Sequence, residues 1–479
     1  MKSSGYPAPA CWRQPSPAGR SLPPDVPTVL SPSIACCVEV PAHTGLVRYG
    51  LTELLRVLGL SPDWHRRGDA RLVVALDEEA TLRVTTDALA HLDRPGAPAA
   101  GPLAHVEIDG ERWPVPVGRS GKAPLGDLAV GAAWWLAGIQ ERGGDRDRHD
   151  RFPYAASLQA ALGDAPGGPL RPAVDAYRQR MAVHLRTLDV DLPGRSWAGA
   201  PWAVALTHDL DAVRTRRLRA ALGEIASGRL GRAWARAFGP DRRLASIDAL
   251  HALSARHRTR ATWMVKPAAW TPEDIPGGLS PALVERLRRW RSEGHEIGWH
   301  PGYGVHGHPE RWDEEAQRVT EAFGEPPRIA RTHFLRWRTP ETLRQLARAG
   351  VRIDSTLGFA EHEGWRRGTA HPFPLWDAGS ETVTELWEMP LAVMDTTLTD
   401  YRGLAGAPLA DALRRVFDAA EATGGVAVVL WHNQIDGDTA AWTDRLAILD
   451  DAVADARRRG ARIGPLASLL DAWENPEMR

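Results

Sequence analysis

The sequence predicts an α/β fold, in which a distorted (β/α) barrel of about seven repeats follows a smaller N-terminal region of α/β or α+β type. Three observations support this prediction. From about residue 203 onward, short apolar runs alternate with longer segments of helical periodicity. Titratable residues stand at the ends of several of these apolar runs. A Pro/Gly-rich stretch at residues 191–201 separates the two parts.

Composition narrows the class of protein. The 479 residues are 43% hydrophobic and 25% charged, which is enough apolar material for a large core and about two or three domains. A net charge of -1 gives no indication of a nucleic-acid partner or an anionic membrane surface. No apolar run has the length of a membrane-spanning helix, and no secretory signal is evident, so we expect a cytoplasmic protein.

The chain divides into three predicted segments. Residues 1–40 are rich in Pro, Ser and Ala without a period, and we interpret them as a disordered leader. Residues 41–195 form a predicted accessory domain, and residues 196–479 form the predicted barrel. All three cysteines, Cys11, Cys36 and Cys37, lie in the leader, so the rest of the chain has neither a disulfide framework nor a cysteine zinc site.

The accessory domain shows mixed periodicity and no defensible chemical signature. Its predicted elements are a helix at Leu46–Leu58, a strand at Leu72–Leu76, a hairpin at His105–Val117 turning at Asp109-Gly110, and helices at Asp127–Gln140 and Val174–Leu188.

The barrel region repeats a strand followed by a helix, which indicates a parallel sheet. The predicted strands are 203–208, 261–266, 296–300, 328–334, 352–357, 384–394, 426–432 and 461–464. One helix is predicted after the first strand, and the others cover 280–293, 309–323, 340–349, 408–423 and 439–458. In barrels of this kind the chemistry sits at the carboxyl ends of the strands.

The end of the first strand is the most informative stretch. Four small or apolar residues, Ala203–Leu206, lead into Thr-His-Asp-Leu-Asp at residues 207–211. Two carboxylates at the exit of a buried strand, Asp209 and Asp211, are costly unless a metal, a cation or a proton-transfer role compensates them. The alternative is that Asp211 caps a following helix.

Other predicted strands carry comparable groups: His300 and His432 at strand ends, Arg331 and His333 along 328–334, and Asp354 near the middle of 352–357. Three of them have a specific structural alternative: a satisfied strand-end histidine for His300, a structural ion pair for Arg331 and an Asx-turn for Asp354. Capping or surface exposure explains any one of them but explains the set poorly, so we interpret the set as one site.

These strings resemble motifs of the polysaccharide deacetylase (NodB homology) family over roughly residues 200–470. The matching segments are Thr-His-Asp-Leu-Asp at 207–211, Gly-His-Glu-Ile-Gly-Trp-His at 294–300, Arg-Thr-His-Phe at 331–334 and Leu-Trp-His at 430–432. More narrowly, Thr-His-Asp-Leu-Asp, Asp-Ser-Thr-Leu-Gly at 354–358 and Leu-Trp-His-Asn at 430–433 are similar to a bacterial subgroup that carries an extra N-terminal domain.

The resemblance implies a role for each matching residue. Asp209 would be the catalytic base, Asp211 and His300 metal ligands, Arg331 the residue that orients the base, Asp354 the support of the catalytic histidine, and His432 the general acid. The ion would be Zn²⁺, or alternatively Co²⁺.

One position departs from the family pattern. The family's second metal histidine follows the first by four residues, where this chain has Gly304, and Pro301 replaces a small hydroxyl residue. We therefore assign His306 as the third ligand, with His308 and His333 as alternatives, because zinc catalysis normally uses three protein ligands and one open position.

The predicted activity is metal-dependent removal of an N-acetyl group from an amino sugar of a bacterial surface glycan or its precursor. A backbone N–H such as that of Phe334 would stabilise the oxyanion. Trp299, Trp337 and Trp431 would either stack on a sugar or belong to the core. Two alternatives are an amide hydrolase with a non-sugar substrate, and a glycan-binding or scaffold protein that has lost catalysis.

Overall fold

The computed structural model describes residues 32–94, 96, 103–119, 121–211, 213, 225–228, 230–231, 234, 242–274, 278–433 and 439–476. Ser31–Arg479 cluster as one compact unit. Within this unit, the boundary between residues 195 and 196 stays a prediction. Among the described residues, no helix combines the length and apolarity needed to cross a membrane.

The first described element corrects the predicted leader. Strand β1 (Ser33–Glu39) lies in the middle of a parallel sheet between β2 (Ser61–Trp64) and β3 (Leu72–Ala75), and β4 (Leu82–Arg83) follows at the edge. The prediction that disorder extends to residue 40 was therefore wrong for residues 33–39, because most of their apolar side chains, including Cys36, are buried in this sheet. Residues 1–31 lie outside the described part.

The remaining N-terminal elements follow the predicted order. Strands β5 (Leu103–Ile108) and β6 (Glu111–Arg119) form an antiparallel pair, and β7 (Gly121–Lys122) joins β5 in parallel. The turn between β5 and β6 has positive φ at both Asp109 and Gly110, as a two-residue hairpin requires. The helices are Thr44–Val57, Thr86–His91, Gly126–Leu136, Leu158–Leu162 and Ala173–Thr187.

The second half of the chain forms a sheet of mainly parallel strands flanked by helices. Its strands are β8 (Ala203–Leu210), β9 (Thr262–Val265), β10 (Glu296–Trp299), β11 (Ile329–Ala330), β12 (Ile353–Asp354), β13 (Phe373–Asp377), β14 (Thr382–Glu388), β15 (Leu391–Met394), β16 (Val426–Leu430) and β17 (Arg462–Gly464). They are ordered β13-β14-β12-β11-β10-β9-β8-β16-β15, and β17 also pairs with β8.

A short link brings the two ends of this sheet together. β14 pairs with β12 near one end and β15 pairs with β16 at the other, yet only Met389 and Pro390 separate β14 from β15. Three Cα steps span at most roughly 11 Å, so the sheet must curl until its ends meet. With β14 and β15 taken as one bent strand, as the sequence predicted for 384–394, seven parallel strands make up the distorted barrel.

Five described helices of this half match predicted ones to within two residues at each end, namely Pro281–Ser292, Pro309–Phe323, Glu341–Arg348, Gly406–Thr423 and Thr439–Arg458. Two further helices, Arg242–Arg256 and Leu466–Glu474, had no predicted bounds. The helix predicted directly after β8 falls largely on residues outside the described part. β13 was not predicted, because it contains Pro374 and pairs antiparallel with β14.

Alternation along β8 decides which side chains reach the site. Ala203 and Ala205 pack in the interior cluster that includes Val428 of β16, whereas Val204 and Leu206 belong to the larger cluster shared with the helices. Because successive side chains of a strand point to opposite faces, the next interior positions are Thr207 and Asp209. Small residues deep in the barrel thus lead to polar residues at its carboxyl end.

The segment that follows β12 is covered by the N-terminal region. Buried Arg366 and Arg367 both pair with the buried carboxylate of Glu141. The Trp365 N–H donates to Pro169 O at 3.0 Å, and the Val174 N–H donates to Gly368 O at 2.9 Å. The N-terminal region therefore forms part of the wall behind the carboxyl ends of the strands.

Candidate active site

The predicted base and the predicted arginine form a rigid pair. Arg331 Nη1 donates to Asp209 Oδ1 at 3.0 Å and to Thr207 Oγ1 at 2.9 Å. Its Nε donates to Ser355 O at 2.8 Å and its Nη2 to Ser355 Oγ at 2.9 Å. Both Asp209 and Arg331 are buried. The guanidinium is fixed by Thr207 and Ser355 as well as by Asp209, so it holds one carboxylate oxygen and leaves the other facing the cleft.

Asp211 lies at the centre of a second group, formed from three different strand ends. Its Oδ1 is 3.1 Å from His300 Nε2 and 3.4 Å from His333 Nε2. These three ligand atoms all lie within 4.8 Å of one another. Asp209 Oδ2 is 3.7 Å from the same nitrogen of His300, so the base and the group share one cleft.

Hydrogen bonds on the far side of each imidazole fix which nitrogen faces Asp211 as an acceptor. His300 Nδ1 is 2.6 Å from Arg331 O, which can only accept, so Nδ1 carries the proton. His333 Nδ1 is 3.1 Å from Asp274 Oδ1, and burial lowers the pKa of His333. Nε2 is therefore the nitrogen that each ring turns toward Asp211, the orientation that outer hydrogen bonds impose on metal-ligating histidines.

This convergence of acceptors fits a divalent cation. Asp211 Oδ1 and His300 Nε2 are buried and have no hydrogen-bond partner among the described residues. Burial opposes ionisation of Asp211, but Lys266 and His333 lower its pKa well below the usual range. Two imidazole nitrogens and one carboxylate oxygen are a donor set that zinc uses in catalytic sites.

His306, assigned as the third ligand, does not belong to this group. Its ring packs edge-on against Trp312 with centroids 5.3 Å apart, and burial lowers its pKa to about 3. His308 is exposed and pairs with Glu310 at 3.2 Å. The assignment of His306 was wrong, and His333, one of its two alternatives, occupies the third place.

The packing around Gly304 explains why this position carries no histidine. A Cβ at this position would stand 2.5 Å from Cβ of Trp270 and 2.9 Å from Cγ2 of Thr271, so no side chain fits there. The carboxylate of Asp274 accepts the backbone N–H groups of Tyr303 and Gly304 and also binds His333. One buried aspartate thus shapes the loop that lacks the histidine and orients the histidine that replaces it.

The predicted general acid has a different partner from the one expected. His432 Nδ1 is 2.6 Å from Asp395 Oδ1, and the His432 N–H donates to Asp395 Oδ2 at 3.3 Å. His432 Nε2 is 3.6 Å from Asp211 Oδ2, facing the cleft. Burial alone would lower the pKa of His432, but Asp395, Asp211 and Asp209 raise it to about 9. The imidazole is therefore a cation at neutral pH.

Asp354 does not support His432, so that prediction was wrong. Its Oδ2 accepts from Thr356 N at 3.2 Å and its Oδ1 from Thr356 Oγ1 at 2.7 Å, which is the Asx-turn alternative. Burial raises the pKa of both Asp354 and the neighbouring Glu388. Asp354 fixes the turn that presents Ser355 to Arg331.

Three residues of the site escaped the sequence argument, and two of them carried a usable signal. Lys266 and Asp395 each follow an apolar strand directly, the same pattern that singled out Asp209 and His432. Asp274 lies in a short 3₁₀ turn, Pro272–Asp274, far from any strand end, and no pattern marks it.

Three candidate sugar-stacking tryptophans and two further histidines belong to the core. Trp299, Trp337 and Trp431 are buried, so they do not form a sugar-stacking platform. His208 donates from Nδ1 to Trp431 O, and burial lowers its pKa to about 4. His295 accepts the N–H groups of Ala261 and the Trp263 indole through Nδ1.

The N-terminal region contributes a side chain to the rim of the cleft. His149 packs on Phe334, with ring centroids 4.7 Å apart, and its Nδ1 is 3.4 Å from Tyr303 Oη. Phe334 has φ 61°, a left-handed conformation that is uncommon for a residue with a Cβ. The aromatic cluster of His149, Tyr303 and Phe334 borders His333, whose ring centroid is 4.7 Å from that of Phe334.

Comparison with known proteins gives distant structural likenesses only. No protein-family model matches the chain, and no curated protein sequence matches it. A protein from Mycobacterium smegmatis named as a polysaccharide deacetylase shares 18% identity over 59% of this chain and 93% of its own, with a TM-score of 0.41. Puue allantoinase shares 16% over 58% and 92%, with a TM-score of 0.40. Likenesses this distant do not define the activity of the chain.

Proposed function

We propose that the chain is a metal-dependent hydrolase that removes an N-acetyl group from an amino sugar of a bacterial surface glycan or its precursor. The observation that carries the proposal is the convergence of three units on one cleft. These are the Asp209–Arg331 pair, the group of Asp211, His300 and His333, and the His432–Asp395 pair. The sugar part of the proposal rests on the motif resemblance.

The residues divide the work of amide hydrolysis between them. Asp209, oriented by the hydrogen bond from Arg331, takes a proton from the attacking water. His432, which is protonated at neutral pH because Asp395 stabilises its cation, gives a proton to the departing amine. The amide C–N bond breaks, the new C–O bond forms, and the products are acetate and a free amine.

Asp211, His300 and His333 would hold the metal ion. When bound, a divalent ion such as Zn²⁺ supplies Lewis-acid polarisation of the carbonyl and acidifies water toward a pKa of about 7. Co²⁺ accepts the same nitrogen and oxygen donors. The backbone N–H of Phe334, at the left-handed turn beside His333, is the candidate second donor to the developing oxyanion.

A non-sugar amide hydrolase is the second candidate. The burial of Trp299, Trp337 and Trp431 favours it, because the aromatic faces of these three residues are not accessible to a sugar ring. A protein that has lost catalysis was suggested by Gly304 alone. His333 supplies a third ligand atom in the described group, which favours the enzyme over that alternative.

Acetate release from N-acetylated amino sugars and from simple N-acyl amides tests the proposal. The zinc-loaded protein should release acetate from the sugars faster, and faster release from the simple amides would favour the second candidate. Asp209→Asn should lower the rate about 10²- to 10⁴-fold and keep zinc, because it removes the base but no ligand. Asp211→Asn, the matched control, should lose zinc as well. Full activity of Asp209→Asn would exclude Asp209 as the base.

A further inference from the structure

The side chain of Lys266 brings a positive charge into the candidate metal group. It follows β9 directly, and its side chain is 1% exposed. Its Nζ is 3.6 Å from Asp211 Oδ1 and 3.4 Å from His333 Nε2. No sequence motif drew attention to this lysine, and the proposed reaction gives it no task.

The ammonium group uses the same atoms that a metal ion would use. His333 Nδ1 is engaged by Asp274, so Nε2 is the only nitrogen of that ring with a free lone pair. One lone pair cannot accept a hydrogen bond from Lys266 and coordinate a cation at the same time. The ion pair between Lys266 and Asp211 likewise occupies the oxygen that lies nearest both histidines.

Electrostatics points in the same direction. A buried ammonium needs a compensating carboxylate, and Asp211 is the carboxylate within 4 Å of Nζ among the described residues. A divalent cation at the same oxygen would have a like charge beside it, in a region of low dielectric where repulsion is strong. Metal binding would therefore require Lys266 to leave both contacts.

We propose that Lys266 is a built-in competitor of the divalent ion, a positioning residue that forms an ion pair with Asp211 and donates to His333 in the metal-free protein and thereby weakens metal binding. The inference rests on the proposed metal-dependent function. It concerns this chain's own affinity for metal and is independent of the substrate. A protein with a neutral side chain of similar size at position 266 should bind the ion more tightly.

Zinc affinity, measured by competition with a chromogenic chelator, tests the proposal on the full chain. Lys266→Met keeps most of the aliphatic stem and removes the charge, and it should bind zinc at least about tenfold more tightly than the unaltered protein. Lys122→Met is the matched control, because Lys122 carries the same charge on the exposed β7 and pairs with Glu107. Its zinc affinity should be unchanged.

The outcomes separate the two proposals. Equal or weaker zinc binding by Lys266→Met, with tight binding by the unaltered protein, overturns the competition and leaves the metal site intact. No zinc binding by any of the proteins overturns the metal site and the competition with it. Lys266→Gln is the second variant if Lys266→Met does not fold. The zinc-induced rise in Tm is a second readout, and it should be larger in either variant than in the unaltered protein.

Discussion

At the scale of single residues, the site depends on what stands behind each functional group. His300 and His333 face Asp211 with defined tautomers because Arg331 O and Asp274 take their other nitrogens. His432 is a cation because Asp395 stands behind it. The strand-end pattern could locate the side chains that face the cleft. It could also have located Asp395, which follows β15 directly, but not Asp274, which is near the site only in space.

Asp395 and Asp354 provide a direct test of this distinction. Asp395→Asn should lower the pKa of His432 from about 9 by about 1 to 3 in the metal-free protein, because the stabilising carboxylate is removed. Asp354→Asn, the matched control, should leave that pKa unchanged. NMR titration of the His432 ring protons measures both. An unchanged pKa in Asp395→Asn would contradict the assignment.

The His432–Asp395 pair also affects the stability of the fold. The pKa of His432 in the folded protein lies above the ordinary value of 6.5, so its protonation stabilises the fold. This contribution is fully present below pH 6.5 and is lost as the pH rises through about 9. The free energy of unfolding of Asp395→Asn should therefore depend less on pH over this window, again in the metal-free protein.

At the scale of elements, the helices and the order of strands could be predicted, and strand pairing could not. Residues 384–394 were predicted as one strand, and the bent β14–β15 pair fulfils this while serving both ends of the sheet. β13 escaped prediction because an antiparallel strand with a proline lacks the signal of a buried parallel strand. Register and curvature depend on contacts between distant segments.

The Glu141 cluster tests how firmly the N-terminal region is joined to the segment after β12. Glu141→Ala would leave Arg366 and Arg367 buried without their carboxylate, which should lower the free energy of unfolding by about 3–5 kcal/mol. The exposed Glu111–Arg171 pair supplies the control, and Glu111→Ala should cost less than about 1 kcal/mol. Chemical denaturation compares them. Equal losses would argue against a buried ionic junction.

At the scale of the whole molecule, the two predicted parts share a buried interface. The segment around Trp365 and Gly368 is covered by Pro169 and Val174 of the N-terminal region. The Pro/Gly-rich stretch at residues 191–201 suggested a linker from composition alone. Composition could not reveal that the two parts bury each other's surface.

Residues 196–479 expressed alone should therefore not reproduce the fold of the full chain. Removing the N-terminal region exposes Arg366, Arg367 and the apolar surface around Trp365, all buried in the intact protein. We expect an aggregating fragment, or a Tm well below that of the full chain, by circular dichroism and scanning calorimetry. A soluble fragment with the Tm of the full chain would instead support the predicted boundary as an independent domain limit.

The central claim is that Asp211, His300 and His333 form the metal site, and zinc stoichiometry tests it most directly. Metal-free protein is loaded with zinc, dialysed and analysed for bound metal per chain. The unaltered protein and His306→Ala should each retain one zinc ion, whereas His333→Ala should lose it, because only His333 lies in the group. Retention of zinc by His333→Ala together with its loss from His306→Ala would contradict the account.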